Sequence, residues 1–484
     1  MKNARAPFGG RDSETSVTKA LGELRSIMSG PVFIPPEEGF DAGREVWNAA
    51  ITHRPAIIAR CMSVEDVQAA VKVGVAHGLP LSVKAGGHDW AGRSLADGGL
   101  VIDLSRMRGV VVDPLTRTAL VDGGVTIGTL VRVSRHHGLL PVTGTVRTVG
   151  MSGLTLAGGY GPLVGKCGLA LDNLLAAEVV LADGRRVVAD AATNPDLFWA
   201  LRGGGGNFGV VTRLRYQLHA IDQVVAGLAV FPMRNARVVL RGYRELLSRA
   251  PDELTLQMGV LGTPAGPGLF LFPTWSGERS EGEKLLGSLA DLGTPLSFAI
   301  GPTAYEDLLA GLDSFGEPGR HWALRTRSVP ELTDAAEAIL LEAANGITSP
   351  RSAISVHHFH GAATRVPVGD TAFGLRQNHL MVELIACWEP SDADDGSQHR
   401  EWADRTARAL EPHAFLGGYP NLLGPAELAR ALQSYGPNLP RLLELKRQLD
   451  PHDVFASAIP ALGPAAANGE RGIRTLDTLS DMQV

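Results

Sequence analysis

The residues best suited to chemistry in this 484-residue chain lie in or beside runs of glycine. His88 is set in Lys84-Ala85-Gly86-Gly87-His88-Asp89-Trp90-Ala91-Gly92-Arg93-Ser94, a loop that leaves backbone N–H groups bare around one imidazole. Two more glycine-rich segments follow, Gly144 to Gly161 and Gly203 to Gly209, and 24 of the 58 glycines fall between Gly86 and Gly209. Bare backbone suits an extended anion such as a pyrophosphate, because a Cβ would hold the anion away from the N–H groups. Tight turns alone would use the same residues. A dinucleotide fingerprint does not fit, since GGGGNFG runs into a strand pattern rather than a helix, and no Walker lysine is present.

Groups able to take up a proton are the other candidates for chemistry, and two strand-like runs offer them. In AISVHHFHGAATRVP, alternation places His358 and His360 on one face and His357 with Phe359 on the other. No third ligand accompanies the two histidines, so a metal is not expected. In LMVELIACWEP, Glu383 shares a face with Met381 and Ile385, an acid on an otherwise apolar surface. Cys61, Cys167 and Cys387 lie too far apart in sequence for a disulfide framework or a CxxC knuckle.

The elements that must carry these residues follow from hydrophobic period and punctuation. A leading helix spans Val17 to Met28, and Ser63-Val64-Glu65-Asp66 starts a second one that ends at His77-Gly78. LPLSVK is a strand feeding the first glycine loop; VIDL is another, and GVVVDPLTRTALVDGG is a hairpin turning at Asp113-Pro114. A helix from about Thr126 to His137 precedes the second glycine segment. LLAAEVVLADGRRVVAD is a hairpin about Asp183-Gly184, NPDLFWALR a short helix, and GGGGNFGVVTRLRYQLH a loop entering a strand. From about Ile221 glycine thins, and the strands LTLQMGVL, AISVHHFH and LMVELIACW alternate with helical runs at Leu332 to Ala344 and Gln398 to Leu410. That pattern describes an α+β unit built on an antiparallel sheet.

Charge and length bound the rest. With 45 basic and 51 acidic residues, a net charge of -6 and no block of like charge, the chain has no footprint for nucleic acid or for an anionic membrane surface. No window approaches 18 uninterrupted apolar residues, and the N-terminus carries no apolar signal run, so the expected address is the cytoplasm. The expected divisions are a helical lead (1–53), a first domain (54–220), a second (221–418), a C-terminal segment (419–463) and a loose tail (464–484).

KAGGHDWAGRS, DLSRM, TVGMSGLTLAGGYGPLVGKCGLALDNLLAAEVVLADGRRV, NPDLFWALRGGGGNFGVVT and the terminal YGPN and DPHDVF stretches together resemble the flavin-linked oxidases of the vanillyl-alcohol oxidase type, in the berberine-bridge-enzyme-like branch. The resemblance is dense over about residues 54–220, clear near the C-terminus and loose between. It implies an α+β fold, with a two-subdomain PCMH-type FAD-binding domain and a substrate domain whose helix-covered antiparallel sheet lies over the flavin. It implies FAD as cofactor, contacted by Lys84, Gly86, Gly87, His88, Asp89 and Gly92 in the first loop. From the second segment it adds Gly144, Gly150, Ser152, Gly153, Gly158, Gly159 and Tyr160, and near the third loop Gly209 and Val211.

His88 matches the histidine that the family bonds to the flavin 8α carbon. Doubly tethered relatives carry a cysteine in GxCxTVG; here that place is Val146, and Cys167 lies elsewhere, so one tether through His88 is expected. Met151 matches a position that governs oxygen access. The family's YxNY motif reads Tyr419-Pro420-Asn421-Leu422, keeping one tyrosine as a candidate base beside Glu383 and His358. The implied activity is oxidation of a small-molecule alcohol, sugar or secondary metabolite with oxygen as acceptor. A dehydrogenase with another acceptor and a flavin-binding protein without catalysis are the alternatives.

Overall fold

A computed structural model describes residues 11–264, 266–391, 394–458 and 462–463; the tail expected from Pro464 lies outside the described residues. Three sheets organise the chain. The first orders β1 (Val32–Phe33), β2 (Ile57–Arg60), β4 (Leu100–Asp103) and β3 (Leu81–Lys84). β2 and β3 both run parallel to β4, whose four residues are all buried, as a central strand covered on both faces requires. The helix Val64–Ala76 packs on this sheet and starts where the Ser63 hydroxyl accepts the Asp66 N–H at 3.2 Å.

The second sheet is antiparallel, in the order β5 (Val110–Asp113), β6 (Thr118–Asp122), β9 (Val210–Gln217), β7 (Leu174–Val180) and β8 (Arg186–Asp190). Both expected hairpins form here. Asp113 Oδ1 accepts the Leu115 N–H at 2.9 Å and Asp183 Oδ1 accepts the Arg185 N–H at 2.9 Å, so each turn is closed by its own aspartate.

The third sheet has seven antiparallel strands, in the order β13 (Ser297–Thr303), β10 (Val224–Pro232), β12 (Gly266–Trp275), β11 (Leu254–Thr263), β15 (Ala353–Phe359), β16 (His379–Trp388) and β14 (His321–Val329). Helices Ala236–Leu247, Arg279–Gly287, Asp334–Asn345 and Ser397–Leu410 cover one face through Val239, Tyr243, Leu340 and Trp402. The other face meets the first half of the chain, where Phe359 and Met381 pack with Tyr160, Leu171 and Tyr419. β14 escapes sequence reading because Arg325 and Arg327 interrupt its apolar pattern. The fold absorbs them by pairing Arg325 with Asp404 and Arg327 with Glu411 and Glu427. Among the described residues no helix is long and apolar enough to cross a membrane.

Candidate active site

The three glycine segments converge on one cleft. The first loop leaves the C-terminal end of β3, the third enters β9, and the second supplies Val146 to Ala157 between them. The opposite wall comes from the third sheet, through Leu324 and Glu383, and from the C-terminal segment, through Tyr419, Asn421 and Leu422. The enclosed volume is about 330 Å³.

Some of the glycines serve the chain itself. A Cβ on Gly86 would stand 2.4 Å from the Gly150 N atom, and one on Gly150 would stand 2.7 Å from the Gly86 N atom, so bare backbone at both positions lets the first two loops touch. Gly158, with φ at +148°, makes room for the Tyr419 ring, which a Cβ there would approach to 2.4 Å. Gly153 is different: a Cβ would meet nothing within 4 Å, and the residue faces the cleft. That open ground is where a ligand belongs.

The polar equipment fits a flavin dinucleotide. Arg93 lines the cleft but its guanidinium grips the Asp89 carboxylate at 2.6 Å, so the first loop presents backbone rather than a spare cation to a pyrophosphate. The third loop is anchored from behind. Lys446, on helix Leu439–Leu449, donates to the Asn207 carbonyl at 3.0 Å and pairs with the buried Asp450 at 2.7 Å, which ties the C-terminal segment to the glycine loop. FAD would be held by the glycine loops 85–89, 150–153 and 205–209.

Beside the first loop, His88 stacks on Trp47 with ring centroids 5.4 Å apart, and its Nε2 lies 2.8 Å from the Thr148 hydroxyl. Burial pulls the imidazole down to about 4, so the ring is neutral at pH 7. In the tautomer that donates its Nε2–H to Thr148, Nδ1 keeps its lone pair, the form a nucleophile needs. Val146 lines the same cleft and has no group to bond a flavin. Cys167 does not line it, and burial pushes its thiol up to about 11, leaving it protonated.

At the substrate wall, the Tyr419 oxygen accepts from the Gly159 N–H and from Asn421 Nδ2, both at 2.9 Å. Burial raises this phenol above its ordinary value despite those two donors. With both lone pairs engaged, its proton can only point outward, so Tyr419 is a donor rather than a base. Glu383 faces the cleft from β16 with His357 Nε2 3.3 Å from its Oε2.

Eleven of the residues expected from sequence meet in the cleft: Gly86, Gly87, His88, Asp89, Gly150, Ser152, Gly153, Gly209, Val211, Glu383 and Tyr419. Others stand behind it. Lys84 is buried and spends its ammonium on the Gly43 carbonyl at 2.6 Å. Gly92 closes a turn against Ile51, Gly144 packs near Leu154, and Gly159 abuts Ala170. Gly158 and Tyr160 back the Tyr419 ring, Tyr160 donating to His379 Nε2 at 2.7 Å. Met151 is wholly buried in the core of the second sheet, so its side chain does not reach the cleft where oxygen would arrive. His358 also points away, stacking on His360 at 3.8 Å. Its neighbour His357 is the histidine that reaches Glu383, because that face of β15 is turned toward the cleft. Trp47, Ser457 and Ala458 line the cleft without any sequence signal, while Trp90, Asn421 and Phe455 lie inside the KAGGHDWAGRS, YxNY and DPHDVF motifs.

The histidines behind this wall carry a pH dependence. Burial takes His379 and His360 down to about 4 and His358 down to about 2, from an ordinary 6.5. Between pH 6.5 and 4 the unfolded chain therefore binds more protons than the folded one. Their contribution is complete above 6.5 and is lost as the pH falls through that window, on the order of 3 kcal/mol for the fully buried His379 alone. Thermal melts should show a steady fall in Tm from pH 6.5 to 4; a flat profile would contradict the neutral burial of this cluster.

Comparison with known proteins agrees with the geometry. A family model described as an FAD binding domain matches residues 55–190. The (R)-6-hydroxynicotine oxidase of Paenarthrobacter nicotinovorans is 31% identical, the alignment covering 88% of this chain and 95% of that protein. This chain is a berberine-bridge-enzyme-like member of the vanillyl-alcohol oxidase family. It is an FAD-dependent oxidoreductase. A second member of these FAD-linked oxidases, the xylooligosaccharide oxidase of Thermothelomyces thermophilus, is 30% identical over 94% of this chain and 96% of its own length. Among solved structures, 6-hydroxy-D-nicotine oxidase from Arthrobacter nicotinovorans superposes with a TM-score of 0.81 at 28% identity, covering 90% of this chain and 98% of that one.

Proposed function

We propose that this oxidoreductase removes a hydride from a hydroxyl-bearing carbon, and the proton from its hydroxyl, of a small alcohol, sugar or secondary metabolite, with oxygen as final acceptor and hydrogen peroxide as second product. When bound, FAD supplies the hydride acceptor at N5 and passes the electron pair to oxygen. Glu383 takes the hydroxyl proton. The observation that carries this reading is that, of the two carboxylates lining the cleft among the described residues, Asp89 is held by Arg93, whereas Glu383 pairs with no arginine among the described residues and faces the open space. Tyr419 offers its outward O–H as a hydrogen-bond donor that orients the substrate oxygen. Trp47, Trp90 and Leu422 close the apolar side and limit water near the reacting carbon.

His88 is assigned as the sole covalent attachment point for the cofactor, through Nδ1. The neutral imidazole and the absence of a nucleophile at Val146 support that assignment. We assign residues 54–220 as the FAD-binding domain, residues 419–463 as a segment returning to it, and residues 221–418 as the substrate domain. Relatives named for 6-hydroxynicotine and for xylooligosaccharides support small molecules as substrates.

The test is spectroscopic. Purified protein in an anaerobic cuvette, screened against alcohols, sugars and alkaloids, should lose its yellow absorbance with a substrate and regain it in air with release of peroxide. Bleaching that persists in air would make it a dehydrogenase, and no bleaching with any compound would overturn the enzymatic reading.

A further inference from the structure

Glu383 is the inner end of a side-chain chain that crosses three strands. Ser355 on β15 stands directly opposite Glu383 on β16, and His357 lies two residues further along the same face of β15. His357 Nε2 is 3.3 Å from Glu383 Oε2 and 3.1 Å from the Ser355 hydroxyl, and that hydroxyl accepts from Gln257 Nε2 on β11 at 2.7 Å. Ile354 and Val356, on the opposite face of β15, pack into the helix-side core, so Ser355 and His357 face the FAD-binding half.

The proton on His357 follows from the donors and acceptors around it. An ionised carboxylate only accepts. If the Ser355 O–H were donated to Nε2, the Nε2 lone pair would face the carboxylate oxygen. The favourable arrangement places the proton on Nε2, shared between Glu383 and Ser355, with Gln257 completing the serine's bonds. We propose that His357 is a positioning residue that acts through Glu383: its Nε2–H holds the carboxylate in one orientation and in the ionised form able to take a proton. This rests on the assignment of Glu383 as the base.

Few other ionisable groups intrude on the pair. Tyr419, on the C-terminal segment, and Tyr160, in the second glycine segment, face it, and burial keeps both phenols protonated across the working range. His358, the next residue on β15, is held neutral by burial and by His360 and His379. Carboxylate–histidine contacts of this kind fix the orientation of a reacting group, with the histidine here as the supporting member.

The experiment needs no substrate. In infrared spectra of the holoenzyme, the protonated carboxyl C=O band that is lost in Glu383→Gln belongs to Glu383, and the pH at which it grows in is the readout. In His357→Phe, which keeps a ring but has no N–H, that pH should rise by about one unit, the usual effect of losing one donor to a carboxylate. In His357→Gln, whose amide can still donate, it should stay near the wild-type value. A band that appears at the wild-type pH in His357→Phe overturns the proposal, as does one displaced equally in both variants, which would mark His357 as packing only. Flavin absorbance and a thermal melt confirm that each variant is folded. Failure of the underlying reading shows separately, as Glu383→Gln that turns over like wild type while the infrared shift is present.

Discussion

Glu383→Gln should lower kcat by about 10²–10⁴-fold, the usual range for loss of a positioned general base, and leave KM within a few-fold of wild type. The substitution is nearly isosteric. Its carbonyl oxygen can still accept the His357 proton, so the contact at 3.3 Å survives and the cleft keeps its shape. What disappears is the capacity to take a proton at the moment hydride leaves carbon. Because the change is felt in the transition state and hardly in binding, the loss belongs in kcat. Tyr419→Phe is the informative contrast. Its oxygen is saturated by the Gly159 and Asn421 donors, so removing the hydroxyl deletes one orienting donor and frees the buried Gly159 N–H along with the part-buried Asn421 amide. That variant should lose on the order of tenfold in activity together with some stability, since an orphaned buried donor costs about 1–3 kcal/mol. Steady-state kinetics with the substrate found by anaerobic bleaching, alongside thermal melts, separates the two. Equal losses in both would place the base at Tyr419.

His88→Ala should convert a cofactor that survives denaturation into one released completely by acid precipitation. The rest of the cleft lining is untouched by the substitution, and 85–89, 150–153 and 205–209 would still hold the cofactor through backbone, so the variant should still purify yellow. Its colour should move to the supernatant on acidification, where wild-type colour stays in the pellet. Cys167→Ser should behave as wild type, because that thiol lies outside the cleft and is kept protonated. Turnover in His88→Ala should also fall, because alkylation of the flavin by an imidazole withdraws electrons and favours its reduction.

Much of the framework could be read from residue order. The glycine excess marked three segments, and all three meet at the cleft. The serine cap at Ser63 and the aspartate-closed turns at Asp113 and Asp183 are local devices, and local devices are legible in one dimension. The losses came from tertiary context. Nothing in sequence says that Gly86 is bare because Gly150 must touch it, or that Gly158 yields to the Tyr419 ring. Lys84 is expected among the residues that contact FAD, and its ammonium goes to the Gly43 carbonyl instead. Met151 matches a position that governs oxygen access, and in the structure its side chain fills a core. The histidine facing the acid is His357 rather than His358; alternation separated the two faces of the strand correctly, but which face would turn to the cleft depends on how the seven-stranded sheet docks. Trp47 and the 457–458 stretch reach the site only through long-range packing, for which the chain carries no periodic signal.

The cofactor is expected to lie in the glycine cleft, bonded to His88 alone. Trypsin cuts after Lys84 and Arg93, which isolates residues 85–93, with His88 as the sole histidine in that peptide; it also cuts after Lys166 and Arg185, which isolates Cys167. Digestion of the denatured wild-type protein, followed by separation of the peptides with flavin absorbance as the detector, is therefore the most direct measurement. The flavin should travel with peptide 85–93 and with no other. Flavin eluting free, or with peptide 167–185, would contradict it.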